Sequence, residues 1–229
     1  MAHFKPGILG SPNGKIGNII FRKRNSKTHV YSHCGTNKIS DSPDCVNNRS
    51  AFSVAVKFSS AVNSVSSLKP FWINSKFKGE NSYTKILKHN IKSFHNKQIS
   101  NLTEISPPGF SFSCLNFRIS NNHISSDIKV SNISPDYIGK SFNLIFLFQL
   151  LNPISPDFIY KTPFFAVEFS FLLPSLEQYF NINFPLKHIQ SGIISNFSNA
   201  IILSAVTHIS KENSINSSSF FIPEIVRVK

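Results

Sequence analysis

The spacing of apolar residues changes along the chain, and each change predicts a different kind of element. The first stretch is rich in turn formers, and Asn13-Gly14 predicts a tight turn because both residue types tolerate positive φ. Two β-prone runs follow at 15–24 and 28–32, on either side of a polar, basic tip at 25–27. This arrangement predicts a β-hairpin.

Helical spacing replaces the strand pattern after a loop predicted at 35–50, which is rich in Ser, Asn, Asp and Pro. Apolar residues recur on one helix face over 49–68, and Pro70 is expected to end this amphipathic helix. A second helix is predicted to begin at Asn81 or Ser82, since both are favourable N-caps. Trp72, the only tryptophan, lies between the two and is expected to pack between them.

Alternation replaces helical spacing after Pro107-Pro108-Gly109. Apolar residues alternate with serines from Phe110, and a one-residue shift at Leu115 predicts a β-bulge. Further strands are predicted at 123–130, 142–150, 164–171, 178–186, 200–209 and 218–228. Seven short strands separated by turn signals predict an antiparallel β-sandwich of the immunoglobulin or fibronectin kind.

These patterns together predict an α+β chain of two domains. Residues 1–106 would form a basic β-hairpin and a two-helix module, and residues 107–229 an immunoglobulin- or fibronectin-like sandwich. A chain of 229 residues suits two small domains or one large one. Its hydrophobic content of 41% is enough to form buried cores, which argues against a disordered protein.

Charge is distributed unevenly between the two predicted domains. Residues 1–105 contain 16 Lys+Arg and 4 Asp+Glu, a net charge of +12, whereas residues 106–229 contain 8 and 7, a net charge of +1. The asymmetry indicates an acidic partner for the first half: nucleic acid, an anionic membrane surface or an acidic protein. The alternative is a surface charge that serves only solubility.

The glycine pattern near the start carries a family resemblance. Gly-Ile-Leu-Gly at 7–10, Gly-Lys-Ile-Gly-Asn-Ile-Ile-Phe at 14–21 and the basic hairpin resemble an uncharacterised bacterial domain-of-unknown-function family, recurrent in Bacteroidota and related phyla. Its Arg-x-x-Phe helix and second helix near a tyrosine correspond to 49–52 and to Ser82-Tyr83 with Asn90. The resemblance implies a hairpin, two helices and a sandwich in that order. It implies no activity, because the family has none assigned.

Enzymatic motifs are absent from the sequence. It contains no Gly-x-Ser-x-Gly elbow, HExxH helix or paired-acid motif. Gly14-Lys15 is followed by Ile16 and a predicted strand, whereas a phosphate-binding P-loop needs Ser or Thr opening a helix. We therefore predict a protein that is not an enzyme, with no catalytic residues and no cofactor.

Metal-capable residues cluster only around His29, His33, Cys34 and Cys45. Their spacing does not match a tetrahedral zinc site, so we predict no metal. Cys34 and Cys45 are compatible with a disulfide or with reduced thiols. Cys114 makes the cysteine count odd, which argues against a disulfide framework.

The basic hairpin is the strongest candidate for a contact with a partner. Its cations suit phosphate groups, and its aromatic rings offer stacking surfaces for bases. The alternative is a solvated tip whose charges discourage edge pairing. The residues predicted to contact a protein or polyanion are Lys15, Phe21, Arg22, Lys23, Arg24, Lys27 and Tyr31.

Two functions are compatible with these observations. The first is a structural or assembly subunit, of a phage-like particle, surface filament or multi-copy complex, whose N-terminal arm docks by adding a strand to a neighbouring sheet. Its partner would be another protein or a second copy. The alternative is a nucleic-acid-binding module that uses the basic first half.

Targeting signals are weak or absent. The longest apolar run, at 142–151, is about half the length of a membrane-spanning helix. The N-terminal residues lack the apolar core of a common secretory signal peptide. We therefore expect a soluble protein that is made in the cytoplasm and has no transmembrane segment.

Overall fold

The computed structural model describes residues 2–4, 13–25, 27–32, 41–94, 98–120, 122–154, 164–210 and 213–227. The chain divides into two compact units, Met1–Val46 and Asn47–Lys229, which are described separately. The predicted α+β class is confirmed, because four helices accompany antiparallel strands within the described residues. None of the helices in these ranges is both long enough and apolar enough to cross a membrane.

The first unit contains an antiparallel sheet in the order β1-β4-β3-β2. Its strands are β1 (Ala2–Phe4), β2 (Gly14–Ile16), β3 (Ile19–Arg24) and β4 (Lys27–Ser32). The predicted hairpin is confirmed as β3 and β4, which pair from Ile19↔Ser32 to Arg24↔Lys27. β1 was not predicted, and Lys27, assigned to the tip, is the first residue of β4.

The tight turn of this sheet lies four residues later than predicted. Ile16 pairs with Ile19, which leaves Gly17 and Asn18 as a two-residue loop between β2 and β3. Gly17 has a φ of 57°, a value that glycine adopts without steric cost and that two-residue hairpin loops require. Gly14, predicted in the turn, instead begins β2.

Helices account for most of residues 43–90. They are α1 (Pro43–Ser64), α2 (Lys69–Asn74) and α3 (Ser82–Asn90), and a fourth, α4 (His188–Ile194), lies between two strands of the sandwich. The start of α3 is confirmed: Asn81 is its N-cap and forms a reciprocal capping box with Thr84. α1 begins earlier than predicted, because Pro43 and Asp44 are favourable in a first helical turn.

The β-sandwich of the second unit contains two antiparallel sheets. The smaller has the order β5-β6-β9, with β5 (Ser111–Ser120), β6 (His123–Ser131) and β9 (Phe180–Pro185). The larger sheet is built around β10 (Phe197–His208). On one side β10 pairs with β7 (Ser141–Pro153), and β7 also pairs with β8 (Phe164–Leu172). On its other side β10 pairs with β11 (Ile215–Asn216) and β12 (Phe220–Arg227).

The strand order distinguishes between the two kinds of sandwich expected. β8, the fourth strand in chain order, pairs with the third strand, β7. In the constant-type immunoglobulin fold the fourth strand belongs to the opposite sheet. The sandwich therefore departs from the constant-type immunoglobulin order, with three described strands in its smaller sheet and five in its larger one.

The predicted bulge is confirmed in β5. The pairing with β6 shifts register between Leu115 and Arg118, and Asn116 within the shift has a φ of 51°. Asparagine tolerates this left-handed conformation better than most residues with a Cβ atom. The extra residue restores the inward alternation, so that Cys114 and Phe117 both belong to the core between the sheets.

The larger sheet is buried on both faces. Along β7, Phe146 and Phe148 belong to the core between the sheets, whereas Ile145 and Leu147 belong to a second core under the helices. This second core includes Phe58 of α1. Burial on both faces explains why β7 is nearly continuous in apolar residues rather than alternating. The second unit thus has three layers: helices, larger sheet and smaller sheet.

The three layers explain why the compact units differ from the domains predicted at 1–106 and 107–229. The predicted boundary lies inside the second unit, whose limit is residue 47. The apolar stripe of α1 is buried against strands that come after the predicted boundary. The Pro107-Pro108-Gly109 sequence marks a change of element type within one unit.

Trp72 is the largest buried side chain of the helical layer. It lies on α2, its Nε1 donates a hydrogen bond of 2.8 Å to the carbonyl oxygen of Ile105, and its ring contacts His89 of α3. The sequence predicted burial near the helices but not the short helix that carries the residue. Indole N–H groups generally need a partner when they are buried, and Ile105 supplies it here.

A basic sheet face as the candidate partner interface

The register of the first unit decides which side chains share a face. Residues directly opposite each other in an antiparallel pair project to the same side, and neighbours along a strand project to opposite sides. Lys15 on β2 is opposite Ile20 on β3, which is opposite Tyr31 on β4. The same side carries the pairs Arg22↔His29 and Arg24↔Lys27. We call this surface the basic face: Lys15, Ile20, Arg22, Arg24, Lys27, His29 and Tyr31.

The opposite side of the same sheet is largely apolar. It carries the cross-strand pairs Ile16↔Ile19 and Phe21↔Val30, with Lys23 opposite Thr28 near the tip. Ile16 and Ile19 remain 68% and 45% exposed. We call this pair of side chains the isoleucine patch.

The structure separates the residues predicted to contact a partner into two groups. It brings together Lys15, Arg22, Arg24, Lys27 and Tyr31 on the basic face and places Phe21 and Lys23 on the other. The sequence analysis treated 22–24 as one cluster at a tip. Strict alternation along β3 was the signal that would have divided them.

The cations of the basic face are exposed to solvent. Lys15, Arg22, Arg24 and Lys27 are all exposed, and Tyr31 is exposed over 39% of its surface. A groove of about 600 Å³ is bordered on this sheet by Arg22, Lys23, Arg24, His29 and Tyr31. Lys23 borders this groove as well, although strand alternation places it on the opposite side of β3 from the two arginines.

Negative charge near the basic face is scarce. Residues 1–40 contain the cations Lys5, Lys15, Arg22, Lys23, Arg24, Lys27 and Lys38 and no Asp or Glu. Two ion pairs of the described ranges, His89–Glu104 and Lys129–Glu177, both lie in the second unit. The concentration of cations therefore favours a positive potential over the basic face.

A second polar cluster, on the outer side of the smaller sheet, has a structural role. Asp127 accepts hydrogen bonds from the side-chain amides of Asn116 at 2.6 Å and Asn181 at 2.9 Å. These two bonds, together with the nearby charge of Arg118, hold the pKa of Asp127 below its usual value. Asn116 is the left-handed residue of the bulge and Asn181 belongs to β9, so the carboxylate links the bulge to the neighbouring strands.

Replacing Asp127 by asparagine is expected to lower stability only where the carboxylate is ionised. A depressed folded-state pKa contributes stability that is present above the unfolded-state pKa, about 3.9, and is lost as pH falls through the folded-state pKa. The deficit of Asp127→Asn should therefore be present at pH 6 and shrink as the pH falls below about 3.9, the unfolded-state pKa. Urea unfolding of both proteins across this range measures it. A deficit that is independent of pH would contradict the role given to the charge.

The environment of Cys114 disfavours reactions of its thiol. Cys114 lies inside the sandwich with its Sγ 2.8 Å from Ser126 Oγ, and burial raises its pKa to about 11. Its thiol is therefore protonated and poorly nucleophilic at neutral pH. Of the earlier metal-capable group, His33 and Cys34 lie outside the described residues. In the ranges that are described, no three His, Cys, Asp or Glu side chains are grouped to hold a metal ion.

Comparisons with known proteins assign this chain neither a family nor a function. No family model matches the chain, and no curated protein matches it. Among solved structures, the chain is similar to a DUF3823 family protein from Bacteroides ovatus, with a TM-score of 0.32 and 15% sequence identity. The match covers 53% of this chain and 55% of the other. A structural neighbour is thus a protein of unknown function from a member of the Bacteroidota.

Proposed function

We propose that this protein is a non-enzymatic assembly subunit that docks onto a neighbouring subunit through its N-terminal sheet. The observation that carries the proposal is the isoleucine patch, an exposed apolar pair on a small, separately compact sheet. Ile16 and Ile19 flank the two-residue turn and present their side chains on one face. Apolar area removed from water is the usual source of affinity in such a contact.

The position of the patch suits docking by strand addition. Ile16 belongs to β2, which ends the strand order of its sheet. An edge strand can accept a strand from another chain, and apolar side chains beside the edge add affinity. The partner we favour is a second copy of this chain or a similar subunit, as in a filament, a phage-like particle or another multi-copy complex.

Three ionisable side chains of the second unit also favour a structural role over a catalytic one. The His89 imidazole is bound to Glu104, the Asp127 carboxylate is bound to two amides, and Cys114 is buried. Each is engaged within the fold. Family membership is part of the proposal: the order of hairpin, helices and sandwich is the order that the resemblance to the uncharacterised Bacteroidota family implies.

Light scattering of nuclease-treated protein at low and high salt tests the proposal. We expect a multimeric mass that persists at high salt, because the contact is apolar. Ile16→Gln combined with Ile19→Gln should reduce the mass to that of a monomer. The matched control is Ile73→Gln with Ile189→Gln, whose side chains are 52% and 75% exposed in the second unit, and it should leave the mass unchanged.

Two results would count against self-assembly through this sheet. A monomer at both salt concentrations would exclude homo-assembly under these conditions. A multimer that is equally insensitive to both pairs of substitutions would place the contact elsewhere on the molecule.

A further inference from the structure

We infer that the basic face of the N-terminal sheet binds single-stranded nucleic acid without sequence preference. This function goes beyond the proposed docking and uses the other face of the sheet, so either can fail without the other. It rests on three observations: the spacing of the cations on the face, the lack of acidic residues in positions 1–40, and an exposed aromatic ring among the cations.

The cations lie in rows set by the strand register. Arg22 and Arg24 are two residues apart on β3, which separates them by about 6.6–6.8 Å along the strand. Lys27 is directly opposite Arg24, and Lys15 lies on the other side of β3, opposite Ile20. A negatively charged chain that follows β3 would therefore meet cations repeatedly, each able to contact a phosphate by charge and hydrogen bonding.

The Arg24–Lys27 pair places like charges at directly opposite positions. Such cross-strand pairs destabilise a sheet, and oppositely charged pairs stabilise it. Neither residue forms an ion pair with a residue in the described part of the chain, and residues 1–40 contain no acid to supply one. An anion bound across this pair would relieve the repulsion, which a face that serves only solubility does not require.

The aromatic ring indicates the kind of polyanion. Tyr31 lies on the basic face, directly opposite Ile20, and borders the same groove as Arg22 and Arg24. Unpaired bases stack on such rings, whereas the bases of a duplex are already stacked on each other. Single-strand-binding proteins use this combination of a cationic groove and an exposed aromatic ring.

The composition of the face also predicts how selective it is. Base edges are read mainly by bidentate Arg, Asn, Gln, Asp or Glu side chains held in a fixed geometry. The basic face contains no amide or carboxylate side chain, and its arginines are exposed rather than held by neighbouring groups. Binding should therefore depend on backbone charge and stacking and only weakly on sequence.

Fluorescence anisotropy of the full-length protein with a labelled oligothymidine of about 16 nucleotides tests the inference, since this length spans the site of a single-strand-binding module. If Lys15, Arg22, Arg24 and Lys27 each neutralise one phosphate, each contributes about −0.7 to the slope of log binding constant against log salt concentration. The expected slope for the wild type is therefore about −2.8. Arg24→Gln should weaken binding and reduce the slope by about 0.7. Lys23→Gln removes the same charge from the neighbouring position on the opposite face, so its slope should stay close to that of the wild type.

The stacking role of Tyr31 is tested separately from charge. Tyr31→Ala should weaken oligothymidine binding at least about fivefold, and Tyr31→Phe should retain it, because phenylalanine keeps the ring. A duplex of the same length should bind more weakly than the single strand and should not respond to Tyr31→Ala. The unfolding transition of each variant, followed by circular dichroism, verifies that it is folded.

Several results would overturn the inference. Absence of oligothymidine binding at about 50 mM salt would do so directly. If Lys23→Gln and Arg24→Gln weakened oligothymidine binding equally, the binding would depend on the total charge of the hairpin and not on the basic face. Binding to phosphatidylserine vesicles without binding to the oligonucleotide would identify an anionic membrane as the partner. If the duplex bound as tightly as the single strand and Tyr31→Ala had no effect on binding, the inferred preference for unpaired bases would be wrong.

Discussion

Trp72→Ala is expected to lower the free energy of unfolding by about 3–5 kcal/mol. The side chain is completely buried in the core between the helices and the larger sheet, so its removal leaves a cavity among side chains that can only partly relax. The Ile105 carbonyl also loses its hydrogen bond from the indole Nε1. Urea unfolding followed by far-ultraviolet circular dichroism measures the loss without relying on tryptophan fluorescence.

Two further variants separate volume from hydrogen bonding. Trp72→Phe keeps most of the ring volume but removes the donor, and an unsatisfied buried carbonyl costs about 1–3 kcal/mol. Ile73→Ala is the matched control on the same short helix: its side chain is 52% exposed, so its effect should be within about 0.5 kcal/mol. If Ile73→Ala were as damaging as Trp72→Ala, the packing described for α2 would be wrong.

Gly109→Ala is expected to destabilise the second unit by about 3 kcal/mol, at the upper end of ordinary overpacking. A Cβ atom at this position would overlap the main-chain carbonyl of Asn216, which cannot rotate away as a flexible side chain can. The neighbouring Phe110 N–H donates to that same carbonyl, and Phe110 forms a parallel bridge with Ser217. Moving the 216–218 segment to make room would break these contacts. Thermal and urea unfolding measure the loss.

Gly192→Ala is the matched control for this steric argument. Gly192 lies within α4, and apart from its chain neighbours and the backbone of its own helix no atom lies within 4 Å of the Cβ that alanine would add. Because glycine is unfavourable in a helix interior, this substitution should stabilise by up to about 1 kcal/mol. Opposite signs at the two glycines are the expected result. A neutral Gly109→Ala would mean that the contact between residues 109 and 216 is looser than described.

The sequence predicted the sandwich strands from two signals: alternation in the smaller sheet, as along β6, and nearly continuous apolar runs in the larger sheet, as along β7. Residues such as Phe110 and Phe112 recur at a spacing of two, and turn residues separate the runs. It predicted the start of α3 for a local reason, the Asn81 cap. What it could not predict was the helical layer on the larger sheet. An amphipathic stripe predicts that one side of a helix is buried, but it does not identify the strands that bury it.

The candidate site was predicted in composition but not in geometry. The charges of 22–24 were recognised as a group because they are adjacent in sequence. Adjacency in a strand means opposite faces, so Lys23 had to separate from Arg22 and Arg24. The contribution of Lys15 depended on a tight turn at Gly17-Asn18, which the stronger turn signal at Asn13-Gly14 obscured.

The coverage of the larger sheet by the helices has a consequence for biosynthesis. Phe58 of α1 belongs to the same core as Ile201 and Leu203 of β10, which are translated long afterwards. The main-chain N–H of Ile105 is bound by the hydroxyl of Ser219, 114 residues later. Such distant contacts slow folding, and the early helices expose their apolar stripe until the late strands leave the ribosome. The apolar stripe of α1 therefore stays without its covering strands for most of the synthesis of the chain.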